Sequence, residues 1–388
     1  MNQIERWQQN ASARAALAAL ADTEAIVQTT IAVQQIAAPT FAEQERGAYV
    51  ATRLRELSLH DVDVDELGNV YSRRAGRLGG PGLLIAAHLD TVFPADVDLS
   101  VRREDGRVYG PGIGDNSLAV AALLHLAAAL QQQDVPHDHD IWFVATVGEE
   151  GLGDLRGMRA AVDRLQPQLA AAIALEGMGN GRVIHAGLGV RRYQISASAA
   201  GGHSWSDFGA PSAVHALVRL AARLSTLTPP ADIRSSYNIG VIEGGTSVNT
   251  IAERASLLLD LRSVAPAGLA ALVEQVERLT AEARASEPEV TFTLEIVGDR
   301  PAGRIAADHA LVRAAVEAGR ASGLTLTNAI ASTDANIPLS RGLPAVCVGV
   351  TAGDNAHRLD EYIETAPIRP GMQALLWLTL AASSADRD

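Results

Sequence analysis

Hydrophobic and polar positions follow two patterns in the first half of the chain. One pattern is the short apolar run, such as residues 84–87 and 141–147, which is typical of a buried strand. The other is a longer stretch of mixed apolar and polar residues, which is typical of a helix; one such helix is predicted over residues 15–36. Short buried strands that alternate with helices, here from about residue 24 to residue 176, are typical of a parallel sheet covered by helices. We therefore expect an α/β domain with a mostly parallel sheet flanked by helices.

The pattern changes after residue 187. The predicted elements are, in order, a strand at 190–198, a helix at 212–227, strands at 238–243 and 255–262, a helix at 267–286 and a strand at 290–297. This β-α-β-β-α-β order is typical of a ferredoxin-like α+β module. The first pattern then resumes, so we predict a discontinuous domain of residues 1–187 and 302–388, interrupted by a domain of residues 188–301.

A histidine and a carboxylate follow the apolar run at 84–87. His88 and Asp90 are two positions apart, and residues with that spacing on a strand point to the same face. A metal-bound imidazole commonly donates its second ring N–H to a carboxylate. His88 is therefore a candidate metal ligand, and Asp90 is a candidate for the group that orients it.

Further acidic and imidazole groups come at or soon after the ends of other predicted strands. Asp115 follows a glycine-rich loop before a helix, where it is either an N-cap or a ligand. Glu149 and Glu150 end one strand, Glu176 ends another, and His357 lies in a later polar loop. Ligands of open α/β sheets bind at the carboxyl ends of the strands. Imidazole and carboxylate groups without cysteine favour zinc, manganese or cobalt.

Composition limits the partners and the compartment. The 388 residues carry a net charge of −13, which disfavours a nucleic-acid partner. No apolar run reaches the roughly 18 residues of a membrane span, and the N-terminus lacks the order of a secretory signal. The single cysteine, Cys347, is expected in the core, and the polar segment 137–139 is expected to be a solvated loop. We predict a cytoplasmic protein without a membrane partner.

Five segments together resemble a known family in their order and approximate separations. They are residues 88–92, 110–115, 148–151, 175–177 and the late His357. The family is the di-zinc hydrolases that include peptidase T, carboxypeptidase G, aminoacylase and succinyl-diaminopimelate desuccinylase. The resemblance covers nearly the whole chain. It implies a catalytic domain with two divalent ions, zinc before manganese or cobalt, and a lid that pairs two subunits into a homodimer.

The resemblance also implies a role for each candidate residue. The implied ligands are His88 and Glu176 for one ion, Glu150 and His357 for the other, and Asp115 as the bridge between them. Glu149 is the implied general base and acid, and Asp90 is the implied partner of His88. A general base of this kind contributes roughly 10²–10⁴ in rate.

The implied lid carries substrate-binding candidates. His203 follows two glycines and matches a family histidine that stabilises the oxyanion; without the resemblance it reads as a loop histidine. Arg262 suits a substrate carboxylate because its planar group donates to two oxygens, and the alternative is an ion pair with Asp260. The other substrate-binding candidates are Asn249, Arg300 and, in the catalytic domain, Asp334.

The motifs favour one substrate class without excluding its rival. Residues 115–118 and 332–338 resemble the corresponding segments of the peptidase T branch. Glu176, in contrast, is the residue type found at this position in aminoacylase-like members. Arg358 stands where a small hydroxyl residue is common in the family. We predict an exopeptidase for di- or tripeptides that uses a metal-bridging water activated by Glu149. The alternative is an N-acyl-amino-acid amidohydrolase. A non-catalytic metal-dependent binding protein would have no need of Glu149.

Overall fold

The protein is described by a computed structural model over residues 3–385, and its contacts divide it into two compact units. The first unit comprises the chain up to Gly187 and from Gly303 onwards, and the second comprises Leu188–Ala302. Residues 1–2 and 386–388, which belong to the predicted discontinuous domain, lie outside the described residues.

Four helices come first in the first unit, and strands and further helices follow. The helices are α1 (Gln3–Gln9), α2 (Ala11–Ala19), α3 (Thr23–Gln34), α4 (Gln44–Glu56), α5 (Ala119–Gln132), α6 (Arg156–Leu165), α7 (Ala213–Leu224), α8 (Pro266–Ser286), α9 (Ala310–Ala321), α10 (Asn336–Ser340) and α11 (Ile368–Ala382). Of these, α7 and α8 belong to the second unit.

Within residues 3–385, the strands form one large sheet, two four-stranded sheets and a short two-stranded ladder. They are β1 (His60–Val64), β2 (Val70–Arg74), β3 (Gly82–His88), β4 (Arg102–Glu104), β5 (Arg107–Tyr109), β6 (Ile141–Thr146), β7 (Leu169–Glu176), β8 (Arg182–Gly187), β9 (Gly189–Ser198), β10 (Gly202–His203), β11 (Ser235–Gly244), β12 (Thr250–Ile251), β13 (Arg254–Ser263), β14 (Thr291–Arg300), β15 (Gly303–Arg304), β16 (Thr327–Ala331), β17 (Ala345–Gly349), β18 (Gly353–Asp354) and β19 (Tyr362–Glu364).

The large sheet of the first unit has nine strands, in the order β1-β2-β6-β3-β7-β17-β8-β15, with β16 paired to β8. Its four central strands, β6, β3, β7 and β17, are parallel, as the alternating pattern predicts, whereas most of the outer strands pair antiparallel. Every residue of β3 is buried. Side chains alternate across the sheet, so Ile85 packs into one core cluster and Leu84 into another. Both faces are therefore covered, and the α/β class is confirmed.

Two local predictions for this unit are wrong. The predicted helix over 15–36 is two helices, because Asp22 begins α3 by accepting the backbone N–H of Ala25 at 3.0 Å. The segment 137–139 is not a solvated loop. His137 is 1% exposed, and the N–H groups of residues 138 and 139 donate to the Ser383 carbonyl just beyond α11. The residues just after the C-terminal helix thus bind this segment, which local polarity did not predict.

One helical stretch among the described residues, Ile113–Gln132, is long and apolar enough to cross a membrane by length and composition. A second qualifies only if α2 and α3, which are bent by 59° relative to each other, are counted together. Within the Ile113–Gln132 stretch, 83% of the most apolar window is buried inside the protein. Its apolar character is that of a helix packed in the core of the first unit.

The second unit is an antiparallel sheet in the order β11-β13-β9-β14, with α7 and α8 on one face. Leu257, Leu259 and Leu261 alternate along β13 and pack into the cluster that these helices cover. The chain order is β9-α7-β11-β13-α8-β14 with the short pair β10 and β12 between, which is the predicted ferredoxin-like order.

Candidate metal centre

The predicted ligands of the first unit come together at the carboxyl edge of the large sheet. His88 ends β3 and Glu176 ends the adjacent parallel strand β7. On the other side of β3, Thr146 ends β6 and pairs with His88. Glu149 and Glu150 come shortly after Thr146 in the chain. Parallel strands bring their carboxyl ends to one edge of a sheet. The fold therefore places an imidazole between carboxylates from both neighbouring strands.

Asp115 lies between the two histidines. Its Oδ1 is 3.2 Å from Nε2 of His88, and its Oδ2 is 3.2 Å from Nε2 of His357. The carboxylate belongs to an irregular turn, Ile113–Leu118, that leads into α5, and it does not cap the helix. One carboxylate facing two imidazoles, one with each oxygen, has the geometry of a bridging ligand.

Each histidine also faces a second carboxylate. Nε2 of His88 is 3.7 Å from Oε2 of Glu176, and Nε2 of His357 is 3.1 Å from Oε1 of Glu150. Among residues 3–385, three groups of side chains have their ligand atoms within 4.8 Å of one another: His88, Asp115 and Glu176; Asp115, Glu150 and His357; His88, Glu149 and Glu150. The first two groups share Asp115 and match the two implied ligand sets.

These residues fit a pair of divalent ions. Ligand atoms bound tetrahedrally at about 2.0–2.2 Å from zinc lie roughly 3.3–3.6 Å apart, and the separations from Asp115 to the two histidines are close to that range. The donors are imidazole nitrogens and carboxylate oxygens, which suit zinc, manganese or cobalt. Buried carboxylates also need compensating positive charge. His88, Glu150 and Glu176 would hold ions here with Asp115 and His357.

The pKa values reflect the crowding of charge. Hydrogen bonds to Asp115 and Glu150 raise the pKa of His357 to about 10. Burial opposes the charge on His88, but hydrogen bonds to Asp115, Asp90 and Glu176 hold its pKa above the ordinary value. Burial raises the pKa of Glu176 to about 7. These shifts favour the protonated imidazoles in the absence of metal, and a bound ion would displace their protons.

Asp90 contacts both His88 and the loop of the two glutamates. Nδ1 of His88 is 3.1 Å from the backbone oxygen of Asp90 and 3.5 Å from its Oδ1, so the closer orienting contact is to the carbonyl. This contact places a proton on Nδ1 and leaves Nε2 available for a metal. The Asp90 carboxylate accepts the N–H groups of Glu149 and Glu150, both at 2.9 Å, and the Thr40 hydroxyl at 2.8 Å. It thus fixes the loop that carries both glutamates.

Two residues of the site were missed by the sequence reasoning. Glu361 is fully buried and accepts backbone N–H groups from the glycine-rich loop, including that of Asp115. Asn116 donates from Nδ2 to the carbonyl of Leu175 and accepts the N–H of Gly177. It therefore hydrogen-bonds to the backbone on both sides of Glu176. The sequence signal for such acceptors is the glycine-rich loop. Its backbone N–H groups belong to no predicted helix or strand, so they need acceptors from elsewhere in the chain.

Asp334 is 3% exposed, and its Oδ2 accepts the hydroxyl of Thr146 at 2.7 Å, at the end of β6. It thus contacts the strand that leads to Glu149. Cys347 is fully buried, as expected, and burial raises the pKa of its thiol.

The second unit brings two of its candidates together. β10 pairs with β12, so His203 lies opposite Thr250, and the N–H of Ser204 donates to the carbonyl of Asn249 at 3.0 Å. Nδ1 of His203 accepts the backbone N–H of Trp205 at 3.2 Å. In the neutral ring the proton therefore lies on Nε2, which is free to donate.

The two arginine candidates lie in one row of the second sheet. Arg262 of β13 and Arg300 of β14 both pair with Val190 of β9. Arg300 is 5% exposed. Arg262 forms the ion pair with Asp260 that the sequence left open, with Nε 2.7 Å from Oδ2.

Comparison with known proteins identifies the class. Residues 84–380 match the model of Peptidase family M20/M25/M40. Among curated proteins, the chain is 29% identical over 249 residues to a succinyl-diaminopimelate desuccinylase of Corynebacterium glutamicum, covering 62% of this chain and 67% of that protein. It is also 29% identical to an N-acetyl-L-citrulline deacetylase of Xanthomonas campestris, covering 75% of this chain and 79% of that one.

Solved structures share the fold. A tripeptidase from Staphylococcus aureus superposes with a TM-score of 0.78 at 23% identity, covering 94% of this chain and 99% of that one. Aminopeptidase PepT from Bacillus cereus superposes with a TM-score of 0.74 at 20% identity, covering 93% and 98%. The chain belongs to Peptidase family M20/M25/M40, because the family model spans most of its length. It is a metal-dependent hydrolase of that family, and the predicted family membership is confirmed.

Proposed function

We propose that the protein is an exopeptidase that hydrolyses the amide bonds of short peptides and releases N-terminal residues from di- or tripeptides. The observation that carries the amide hydrolysis is Glu149. Glu149 is 6% exposed, and its carboxylate lies in one group with the His88 imidazole and the Glu150 carboxylate, although two ligand sets are complete without it. A carboxylate beside the ligands but additional to them suits a general base.

Two zinc ions, when bound, supply Lewis-acid polarisation of the scissile carbonyl and activation of water. The chain's residues supply the proton transfers and the orientation. The Glu149 carboxylate accepts a proton from the attacking water and delivers it to the nitrogen of the leaving amine. Asp90 supports this transfer because its Oδ1 accepts the Glu149 N–H and so fixes the backbone on which the base is carried.

His203 is assigned to the developing negative charge on the substrate oxygen. The contact between its Nδ1 and the Trp205 N–H leaves Nε2–H as the donor, and such a donor is worth roughly 10²–10³ in rate. Arg262 is assigned to binding a substrate carboxylate. Its guanidinium would leave the ion pair with Asp260 and bind the substrate carboxylate instead. Asn249, Arg300 and Asp334 are assigned to substrate binding or its support.

We further propose a homodimer that pairs through the second unit, in a cytoplasmic protein. Strand β11 lies at the edge of the second sheet and exposes Val241 and Ile242 at 45% and 52%. An exposed edge strand with apolar side chains is a surface suited to pairing with another chain.

A second function has specific support. The named relatives include a desuccinylase and a deacetylase, both of which act on N-acyl groups by their names. An N-acyl-amino-acid amidohydrolase would use the same Glu149 and the same ions. The segments 115–118 and 332–338, which resemble the peptidase T branch, favour the peptide.

A turnover panel on zinc-reconstituted protein separates these functions. Di- and tripeptides with a free amine are compared by mass spectrometry with the same amino acids carrying N-acetyl or longer acyl caps. Cleavage confined to free-amine peptides supports the exopeptidase. Cleavage confined to capped substrates overturns it in favour of the amidohydrolase. Failure to cleave either class, at full zinc occupancy, overturns both.

A further inference from the structure

A cavity of about 190 Å³ opens beside the candidate metal centre in the first unit. Asp115 and Glu176 form part of its wall. Apolar side chains form most of the rest; they are Met178, Ile184, Ala331 and Cys347. A mostly apolar pocket that reaches two metal-ligating carboxylates is placed to receive a group attached to the scissile amide.

Arg182 is the one cationic side chain among the described residues that line this cavity. It begins β8, and its Nη2 lies close to the turn at Gly179, where a side chain on the glycine would come within 3.2 Å of it. No carboxylate of residues 3–385 lies within ion-pair distance of its guanidinium. A guanidinium at an apolar pocket without an acidic partner from the chain is available for an anionic ligand.

The sheet register places Arg182 and Glu176 across the cavity from each other. On β17, Gly349 pairs with Glu176 of β7, and Val348 pairs with Val183 of β8, so the next step of the register brings Gly349 beside Arg182. The two residues are therefore two strand spacings apart, roughly 9.5 Å between backbones.

Both side chains also share a face of the sheet. Cys347 pairs with Ala174 on one side and with Ile184 on the other. Glu176 and Arg182 are each two positions from these partners, and residues two apart on a strand point to the same face. A short aliphatic chain that leaves a carbonyl near Glu176 would thus run over Cys347 and Ile184 toward Arg182.

We propose that this cavity is a substrate subsite for a short aliphatic chain ending in a carboxylate, on the carbonyl side of the scissile amide. Arg182 is its specificity-determining residue. The inference rests on the proposed amide hydrolysis. Two sources share this chemistry, namely a glutamyl residue at the N-terminus of a peptide and a dicarboxylic acyl cap such as succinyl.

The test compares substrates that differ only in the terminal group. Glu-Ala is compared with Gln-Ala, and succinyl-alanine with its terminal amide, on zinc-loaded protein. We expect wild type to favour the carboxylate by about tenfold in kcat/KM, in whichever of the two arms is cleaved. Arg182→Gln removes this preference by lowering kcat/KM on the carboxylate substrate more than on its neutral partner, and Arg182→Lys keeps part of the preference. The arm that shows the preference identifies the source.

Arg53→Gln is the control, because Arg53 is an exposed arginine paired with Glu56 on α4, and it should keep the wild-type preference. Equal rates on both members of each pair in wild type, or a preference that survives in Arg182→Gln, overturns the subsite while leaving the hydrolase function intact. If the zinc-loaded protein cleaves none of these substrates, the proposed function fails, and calorimetric titration with glutarate and its monoamide tests the subsite independently. Tighter glutarate binding by wild type than by Arg182→Gln supports it, and equal binding overturns it.

Discussion

The carboxylate of Glu361 binds the backbone N–H of Asp115, the residue that faces both histidines of the candidate metal centre. Its Oε1 accepts the N–H groups of Gly114 and Asp115, both at 2.8 Å, and its Oε2 accepts that of Gly112 at 3.3 Å. Glu361 lies four residues after His357. One buried side chain therefore connects the loop of Asp115, the candidate bridging carboxylate, to the loop of His357, a second candidate ligand.

Replacing Glu361 by leucine should weaken metal binding. It leaves buried N–H groups without acceptors, at about 1–3 kcal/mol each, and frees the Asp115 loop from its support. Loss of a group that positions a ligand typically lowers metal affinity by roughly 10–100-fold. We expect Glu361→Leu to show such a loss in a zinc competition titration with a chelating dye, and Glu361→Gln to retain most of the affinity because one oxygen still accepts.

Glu364→Gln is the matched control for this prediction. Glu364 lies on the same stretch of chain in β19, but it pairs with Arg107 at the surface rather than with the glycine-rich loop. Its variant should bind zinc as wild type does. Unchanged zinc affinity in Glu361→Leu, with the protein folded, would show that the Asp115 loop keeps its position without Glu361.

The adjacent glutamates should separate metal binding from proton transfer. Glu150→Gln should lose zinc, because Oε1 of Glu150 lies 3.1 Å from Nε2 of the ligand candidate His357. Glu149→Gln should keep its zinc and lose roughly 10²–10⁴ in kcat, since a general base is removed. Zinc content by atomic absorption and kcat on a cleaved substrate are measured on both variants. Near wild-type turnover by a zinc-replete Glu149→Gln protein would rule out its role as the base.

The candidate ligands could be predicted from sequence because little more than strand order was needed. His88, Glu176 and the pair Glu149 and Glu150 each follow an apolar strand, and a parallel sheet brings such positions to one edge. Their chemistry then narrows the choice of metal. The ferredoxin-like order of the second unit was likewise predictable, since apolar and polar residues alternate along its strands and its helices are amphipathic.

The supporting groups could not be predicted in the same way. Glu361 and Asn116 act by accepting or donating to backbone groups whose positions depend on the folded glycine-rich loop. The row that joins Glu176, Gly349 and Arg182 depends on which strands are neighbours, and β17 lies far along the chain from β7 and β8. The local sequence pattern predicts which face of its own strand a side chain occupies. It does not predict which strand lies next to it, because that depends on the overall fold.

His203 should affect turnover and not metal content. It belongs to the second unit, and none of the groups of side chains that could hold a metal includes it among the described residues. We expect His203→Ala to lower kcat/KM by roughly 10²–10³, the value typical of one oxyanion donor, with zinc content unchanged. His215→Ala, which removes an exposed histidine of α7, is the control and should be as active as wild type. Equal activity of the two variants would make His203 a loop residue only.

His137 should make stability depend on pH. Burial, aided by the charge of Arg74, lowers the pKa of this imidazole to about 4, from an ordinary value near 6.5. Between those values the unfolded chain binds the proton and the folded protein does not, so the free energy of unfolding rises with pH across this window. The contribution is complete above about pH 6.5 and is lost as the pH falls toward about 4.

The His137→Gln variant isolates this contribution because it keeps every other titrating group. The stability advantage of wild type over the variant should shrink by at most roughly 3 kcal/mol between about pH 7 and pH 4. It is measured by urea unfolding of both proteins in excess chelator, so that metal loss at low pH affects neither curve. A wild-type advantage that stays constant over this range would mean that His137 takes up its proton in the folded state as readily as in the unfolded one, and that its burial is relieved without unfolding.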